Sequence, residues 1–138
     1  MNRVVIDTNV LISSILSSSG SPAKIMDLVS DKQVQVFYSL KIMDEYKRVL
    51  EYKKLGISSQ IQEQIIEAIE ELGTIVEPIV SSVSLIDEDD RIFYDSAKAS
   101  EAILITGNIK HYPAEQAIMS PAEFLLHMGG QIKDESEN

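Results

Sequence analysis

A carboxylate interrupts the first apolar run of this chain. Val4-Val5-Ile6 leads straight into Asp7, and Val10-Leu11-Ile12 resumes after Thr8-Asn9. A short run of β-branched residues predicts a buried first strand. Asp7 then stands at the carboxyl end of that strand, where a helix begins. In open α/β sheets, ligands bind outside this edge. Desolvating a carboxylate there costs free energy unless something cationic meets it. Two partners satisfy that need: a metal ion, or the N-terminus of the next helix, which Asp7 or Thr8 is placed to cap.

The rest of the chain alternates between the two hydrophobic periods. Thr8 to Leu16 reads as a short helix. Ser17-Ser18-Ser19-Gly20 is a loop, and Ser21-Pro22 restarts a helix to about Ser30, with Ser as cap and Pro in the first turn. Val34 to Tyr38 is a second strand. Ser39 caps a helix from Leu40 to about Tyr52, with Ile42, Met43, Tyr46, Val49 and Leu50 at helical spacing. Ser58 or Ser59 opens another helix that Gly73 stops, so the two form a helical hairpin. Thr74 to Glu77 is a short strand. A helix from about Asp90 to Ser100 follows the acidic run Asp87-Glu88-Asp89-Asp90. Strands at Ala102–Thr106 and Ala117–Met119 come next. A last helix from Ser120-Pro121 ends at about Met128, before Gly129-Gly130. This order predicts an α/β fold: a mainly parallel sheet of about five short strands with helices on both faces, in three layers. Residues 1–128 are expected to be one domain and 129–138 a disordered polar tail.

Composition removes several function classes. The 138 residues carry no cysteine, which excludes disulfides, zinc-thiolate sites and a cysteine nucleophile, and fits a reducing, cytoplasmic setting. No basic segment precedes the first apolar run, and Asp7 and the serines break it, so neither a signal peptide nor a membrane span is expected. The net charge of −10 argues against broad electrostatic capture of nucleic acid. It is compatible with a nucleic-acid enzyme whose site is acidic because it binds metal. Lys41, Lys47, Arg48, Lys53 and Lys54 concentrate five of the twelve basic residues in one segment. They form either a solvated helix face balanced by Asp44, Glu45 and Glu51 or a phosphate-binding ridge.

Four polar side chains fall at comparable points of the fold. Asp7 follows the first strand, Asp90 opens a helix, and Asn108 follows the Ile103-Leu104-Ile105 strand. Glu45 lies beside the apolar stripe of its helix, three residues after Ile42 and four before Val49, where a charge needs a partner. Converging, they would make an oxygen-only site suited to magnesium or manganese rather than zinc. Each has a plainer explanation. Glu45 is also placed to pair with Lys41 or Arg48 along the helix. The acidic run also complements a helix N-terminus, and Asn after Gly is an ordinary turn residue. Asp89 and Asp95 compete with Asp90. Asp95 lies five residues on, a rotation of about 140° on a helix, which assigns it to a supporting or surface position. His111, near Asn108, reads as a surface histidine.

In order, Val4-Val5-Ile6-Asp7-Thr8-Asn9-Val10-Leu11, Glu45, Asp90 through Ala97, and Ile105-Thr106-Gly107-Asn108 resemble a PIN domain, over about residues 3 to 126. The hydrophobic-Asp-Thr-Asn opening is the most specific part. The resemblance is greatest to the PIN-family toxin components of bacterial and archaeal toxin–antitoxin pairs. It implies a PIN-like parallel sheet and an acidic cluster binding Mg2+ or Mn2+. It also implies metal-dependent endonuclease action on single-stranded RNA, an antitoxin protein as partner and a homodimer. Carried over residue by residue, Asp7, Glu45 and Asp90 match the catalytic, metal-binding acidic positions. Asn108 stands at the fourth, where the family usually has Asp, and so keeps an oxygen ligand but loses a charge. Lys41, Lys47, Arg48 and Lys110 are the candidates for guiding RNA. A protein acting only through partners, with a degenerate acidic pocket, is the alternative. A receiver-like domain fits less well, because Val5-Ile6 precede Asp7 where an acidic pair would be needed.

Overall fold

A computed structural model describes the backbone of residues 1–137 and the side chains as far as Gly129. Five parallel strands form the centre: β1 (Asn2–Ile6), β2 (Val34–Tyr38), β3 (Thr74–Ile75), β4 (Ile103–Ile105) and β5 (Ile118–Met119). Among the described residues, six α-helices connect or flank them: α1 (Thr8–Leu16), α2 (Ser21–Ser30), α3 (Leu40–Leu50), α4 (Ser59–Leu72), α5 (Arg91–Ser100) and α6 (Pro121–Glu137). Successive side chains of a strand point to opposite faces. Val4, Val5 and Ile6 are nevertheless all buried, so β1 is covered on both sides, as the three-layer expectation requires.

The strand order is β3-β2-β1-β4-β5. The chain winds from β1 outward through β2 to β3, then returns to the other side of β1 for β4. The reversal lies between β1 and β4, which is the topological switch point where open sheets of this kind have their crevice. Val4 pairs with Ile103, Val5 with Leu104 and Ile6 with Ile105. The register therefore delivers Asp7 and Thr106 side by side at the carboxyl edge.

Local signals act largely as the sequence suggests. The Ser39 hydroxyl accepts from the Ile42 amide at 3.2 Å, and the Ser58 hydroxyl from the Ile61 amide at 3.2 Å, so both serines cap their helices. Ile42, Met43, Tyr46 and Leu50 are buried on one face of α3, which packs on α4 as a hairpin. Phe93, Tyr94 and Phe124 lie in the core.

Several boundaries differ. α3 stops at Leu50 rather than Tyr52, and a 3-10 turn at Lys53–Leu55 closed by left-handed Gly56 follows it. β3 is two residues long, not four. The cap of α2 is Gly20, with Ser21 already helical. Gly73 stops α4 in an extended conformation rather than a left-handed one. Its value is space: a Cβ there would lie 2.6 Å from the Ile69 carbonyl oxygen and 2.8 Å from the Tyr38 ring. α6 runs past Gly129-Gly130, where the sequence suggested an end. A glycine stops a helix efficiently when it turns left-handed, and Gly129 does not. For residues 130–138, the expectation of a disordered tail falls on side chains outside the described residues.

Candidate active site

Asp7 is 5% exposed, and its backbone joins the sheet edge through its amide, which donates to the Ile105 carbonyl at 2.9 Å. One carboxylate oxygen, Oδ2, accepts from two hydroxyls: Thr106 Oγ1 at 2.8 Å and Tyr112 Oη at 3.0 Å. Thr106 Oγ1 in turn accepts from the Asn108 amide at 3.0 Å. Asp7 is not a conventional helix cap. The Thr8 and Asn9 amides lie near enough to favour its charge but make no capping hydrogen bond.

Glu45 reaches the same edge because α3 is pinned to β1. Tyr46, the next residue, is fully buried, and its hydroxyl donates to the Ile6 carbonyl. That contact places Glu45 beside the start of α1. Thr8 Oγ1 donates to Glu45 Oε2 at 2.5 Å, and Arg48 approaches Glu45 Oε1 at 3.5 Å. The ion pair anticipated along the helix therefore exists, but it shares Glu45 with Thr8, the first residue of α1.

Asp90 follows a strap of chain that ends in a 3-10 turn, Glu88–Asp90, and it starts α5. His111 lies beside it, Nδ1 to Oδ2 at 3.3 Å, with its side chain 43% exposed. Asn108 is exposed at the rim. Asn9 Oδ1 accepts from the Gly107 amide at 3.0 Å and ties the first turn of α1 to the turn after β4.

Electrostatics joins the carboxylates into one group. Burial pushes the Asp7 carboxyl above the ordinary range, against the stabilising bonds from Thr106 and Tyr112. Burial also raises Asp90, with added repulsion from Asp7 and Asp87 that outweighs the help of His111. Tyr112 is pushed far above its ordinary value, first by burial and then by Asp7, Asp90 and Glu45 together. All three carboxylates therefore act on one phenol. Burial, then Asp7 and Glu45, does the same to Tyr46. Burial and repulsion that raise Asp7 and Asp90 mark a place short of counter-charge, and carboxylate oxygens fit a hard divalent cation. The fit is one of donor type and charge. Among the described residues, no three His, Asp or Glu side chains are drawn together into a finished metal cage.

The other candidates separate. Arg48 contacts Glu45 and stacks over Tyr52, with Cζ 5.8 Å from the ring centroid. Lys41 lines a groove with Pro78, Arg91 and Ile92, whereas Lys47 lines a different one against α4. They form no single ridge. Lys110 is exposed in the turn after Asn108. Asp95 is buried, not at the surface: its Oδ2 accepts from the Ser81 amide at 3.1 Å and holds the strap, and its Oδ1 has no hydrogen-bond partner among the described residues. Arg91, which bonds Ser81 and Val83 of the same strap, supplies the nearby positive charge. Sequence reasoning missed Thr8, Thr106 and Tyr112 as supports. The threonines had a signal in their position at strand ends. Tyr112, in an irregular segment, had none.

Fold and site together define a small doubly wound α/β domain with a buried carboxylate, Asp7, at the carboxyl edge of its switch point. The chain belongs to the PIN domain family, whose sequence model matches residues 3–110. It is 36% identical over 110 residues to an uncharacterized protein of Methanocaldococcus jannaschii, MJ1680, a match that covers 77% of this chain and 70% of that protein. PIN domains are typically nucleases and generally use divalent metals. No helix among the described residues is long and apolar enough to cross a membrane.

Proposed function

We propose that this PIN domain is a metal-dependent endoribonuclease that cuts phosphodiester bonds in single-stranded RNA, using Mg2+ or Mn2+. The observation that supports this most is Asp7, buried at the sheet's switch point with its carboxylate held by the Thr106 and Tyr112 hydroxyls. A divalent ion bound there supplies positive charge for the phosphate and lowers the pKa of a water. Asp7 and Asp90 are the residues to hold it. Glu45, steadied by Thr8 and Arg48, completes the donor set and orients the attacking water. Asn108 contributes a neutral oxygen or amide at the rim. Arg48, beside Glu45, is the best placed of the basic residues to meet RNA, and Lys41 and Lys110 are weaker contributors. The setting we propose is a cytoplasmic toxin–antitoxin pair, with an antitoxin as partner and a homodimer built on the α3–α4 hairpin, where Leu40 and Ile61 remain exposed. Asp7→Asn should abolish metal-dependent RNA cleavage while leaving the circular dichroism spectrum intact. Full activity in that variant would refute the assignment.

A second reading is a binding module with a weak or inactive site. The uncharged Asn108 and the net charge of −10 favour it. Calorimetric titration with Mn2+ separates the two, because a binding module of this kind gives no heat and no thermal shift.

A further inference from the structure

Tyr112 has no role in the candidate donor set, yet it touches Asp7, the buried member of that set. It is buried, and its hydroxyl donates to Asp7 Oδ2 at 3.0 Å. Thr106 donates to the same oxygen at 2.8 Å. Two donors on one carboxylate oxygen fix the rotation of the carboxylate plane, because a single hydrogen bond leaves it free to swing. Among the described residues, neither hydroxyl bonds Oδ1. A phenol also suits the place chemically. It donates without bringing a positive charge, whereas a lysine there would neutralise Asp7 and compete with a cation. Partners behind metal ligands commonly set ligand orientation and tune affinity.

We propose that Tyr112 is a positioning residue for the metal site: with Thr106 it clamps Asp7 through Oδ2 and so presents Oδ1 to the ion. This rests on the nuclease reading above. Tyr112→Phe removes one hydroxyl and keeps the buried ring. The expected result is a Mn2+ affinity weakened roughly 10- to 100-fold in calorimetry. RNA cleavage should fall through kcat with KM for RNA unchanged, and the far-ultraviolet spectrum should be unaltered. A merely structural role would lower the melting temperature and leave Mn2+ affinity alone, which would overturn the proposal while the nuclease reading stood. If the wild-type protein binds no Mn2+, both fall together. A measurement on the unaltered chain covers the case of a Phe variant that does not fold. With only five tyrosines in the sequence, 13Cζ-tyrosine labelling resolves Tyr112, and its signal should move when Mg2+ is added. A stationary signal in the presence of bound Mg2+ overturns the proposal.

Discussion

The Thr8 hydroxyl donates to Glu45 across 37 residues of sequence and joins the start of α1 to the middle of α3. Without this bond, Glu45 would be held in the crevice only by its own helix and by Arg48, whose side chain is 60% exposed. An exposed ion pair of that kind is weak, so Thr8 is the main restraint. Thr8→Val keeps the shape and removes the donor. We expect cleavage to fall about tenfold or more, the usual effect of losing a partner behind a ligand, with stability changed by less than about 1 kcal/mol. Single-turnover cleavage assays and thermal melts test this. An unchanged rate would show that Glu45 does not need Thr8.

Asp7 should make the metal-free protein less stable as pH rises. Its carboxyl is raised by burial in the folded state, so the native protein binds that proton more tightly than the unfolded chain does. The sign follows: its contribution to stability is complete below the unfolded value of 3.8 and is lost as pH climbs through the higher folded value. Asp90, also raised, acts in the same direction. Asp7→Asn should therefore match wild type in strong acid and gain on it towards neutrality. Mn2+ should reverse the order, because it stabilises only a protein that binds it, by about 2.7 kcal/mol at a hundredfold excess over Kd. Denaturant melts at several pH values, with and without Mn2+, would show this crossing. Parallel pH profiles for the two proteins would contradict it.

The parts of this molecule that were legible in sequence are those fixed by local pattern. Val4-Val5-Ile6 and Ile103-Leu104-Ile105 announce buried strands, and Ser39 and Ser58 announce their helices, because apolar period and capping act within a few residues. The ends of α3 and α6 were not legible, since a 3-10 turn and a helical glycine depend on what packs nearby. The acidic site was visible as a set of positions, but its supports were not. Tyr112 meets Asp7 across 105 residues, and nothing in the segment around it marks that contact. Asp95 was legible only in part. Rotation about the helix axis sets it apart from Asp90, but could not reveal that the strap at Ser81 would cover it.

Asn108 offers a test of how charge at the rim sets metal affinity. It sits exposed where its amide bonds Thr106, the residue that bonds Asp7. Asn108→Asp adds a negative oxygen ligand beside an already acidic crevice. Ligand charge count tunes affinity for hard cations, so Mn2+ should bind roughly tenfold more tightly, equivalent to about 1.4 kcal/mol. The metal-free protein should melt at a lower temperature, because a further carboxylate repels Asp7 and Asp90. Calorimetry and paired melts read both effects. No change in affinity would place residue 108 outside the metal's reach.

Gly73 separates fold from site. Its backbone is extended, at φ −90°, which any residue adopts, so handedness does not require glycine here. Space does: a Cβ would come within 2.6 Å of the Ile69 carbonyl oxygen and 2.8 Å of Tyr38 Cε1. The carbonyl belongs to α4, and the Tyr38 ring is buried at the end of β2, so neither yields easily. Overpacking of this kind costs about 1–3 kcal/mol. For a chain of this size that corresponds to a drop of roughly 3–9 °C in melting temperature. β3, which Gly73 precedes, lies two strands from β1, or about 10 Å. Gly73→Ala should therefore lower stability and leave Mn2+ affinity as in wild type. Loss of Mn2+ binding in a folded Gly73→Ala protein would mean that the α3–α4 hairpin controls the position of Glu45 more directly than the Tyr46 anchor on Ile6 implies.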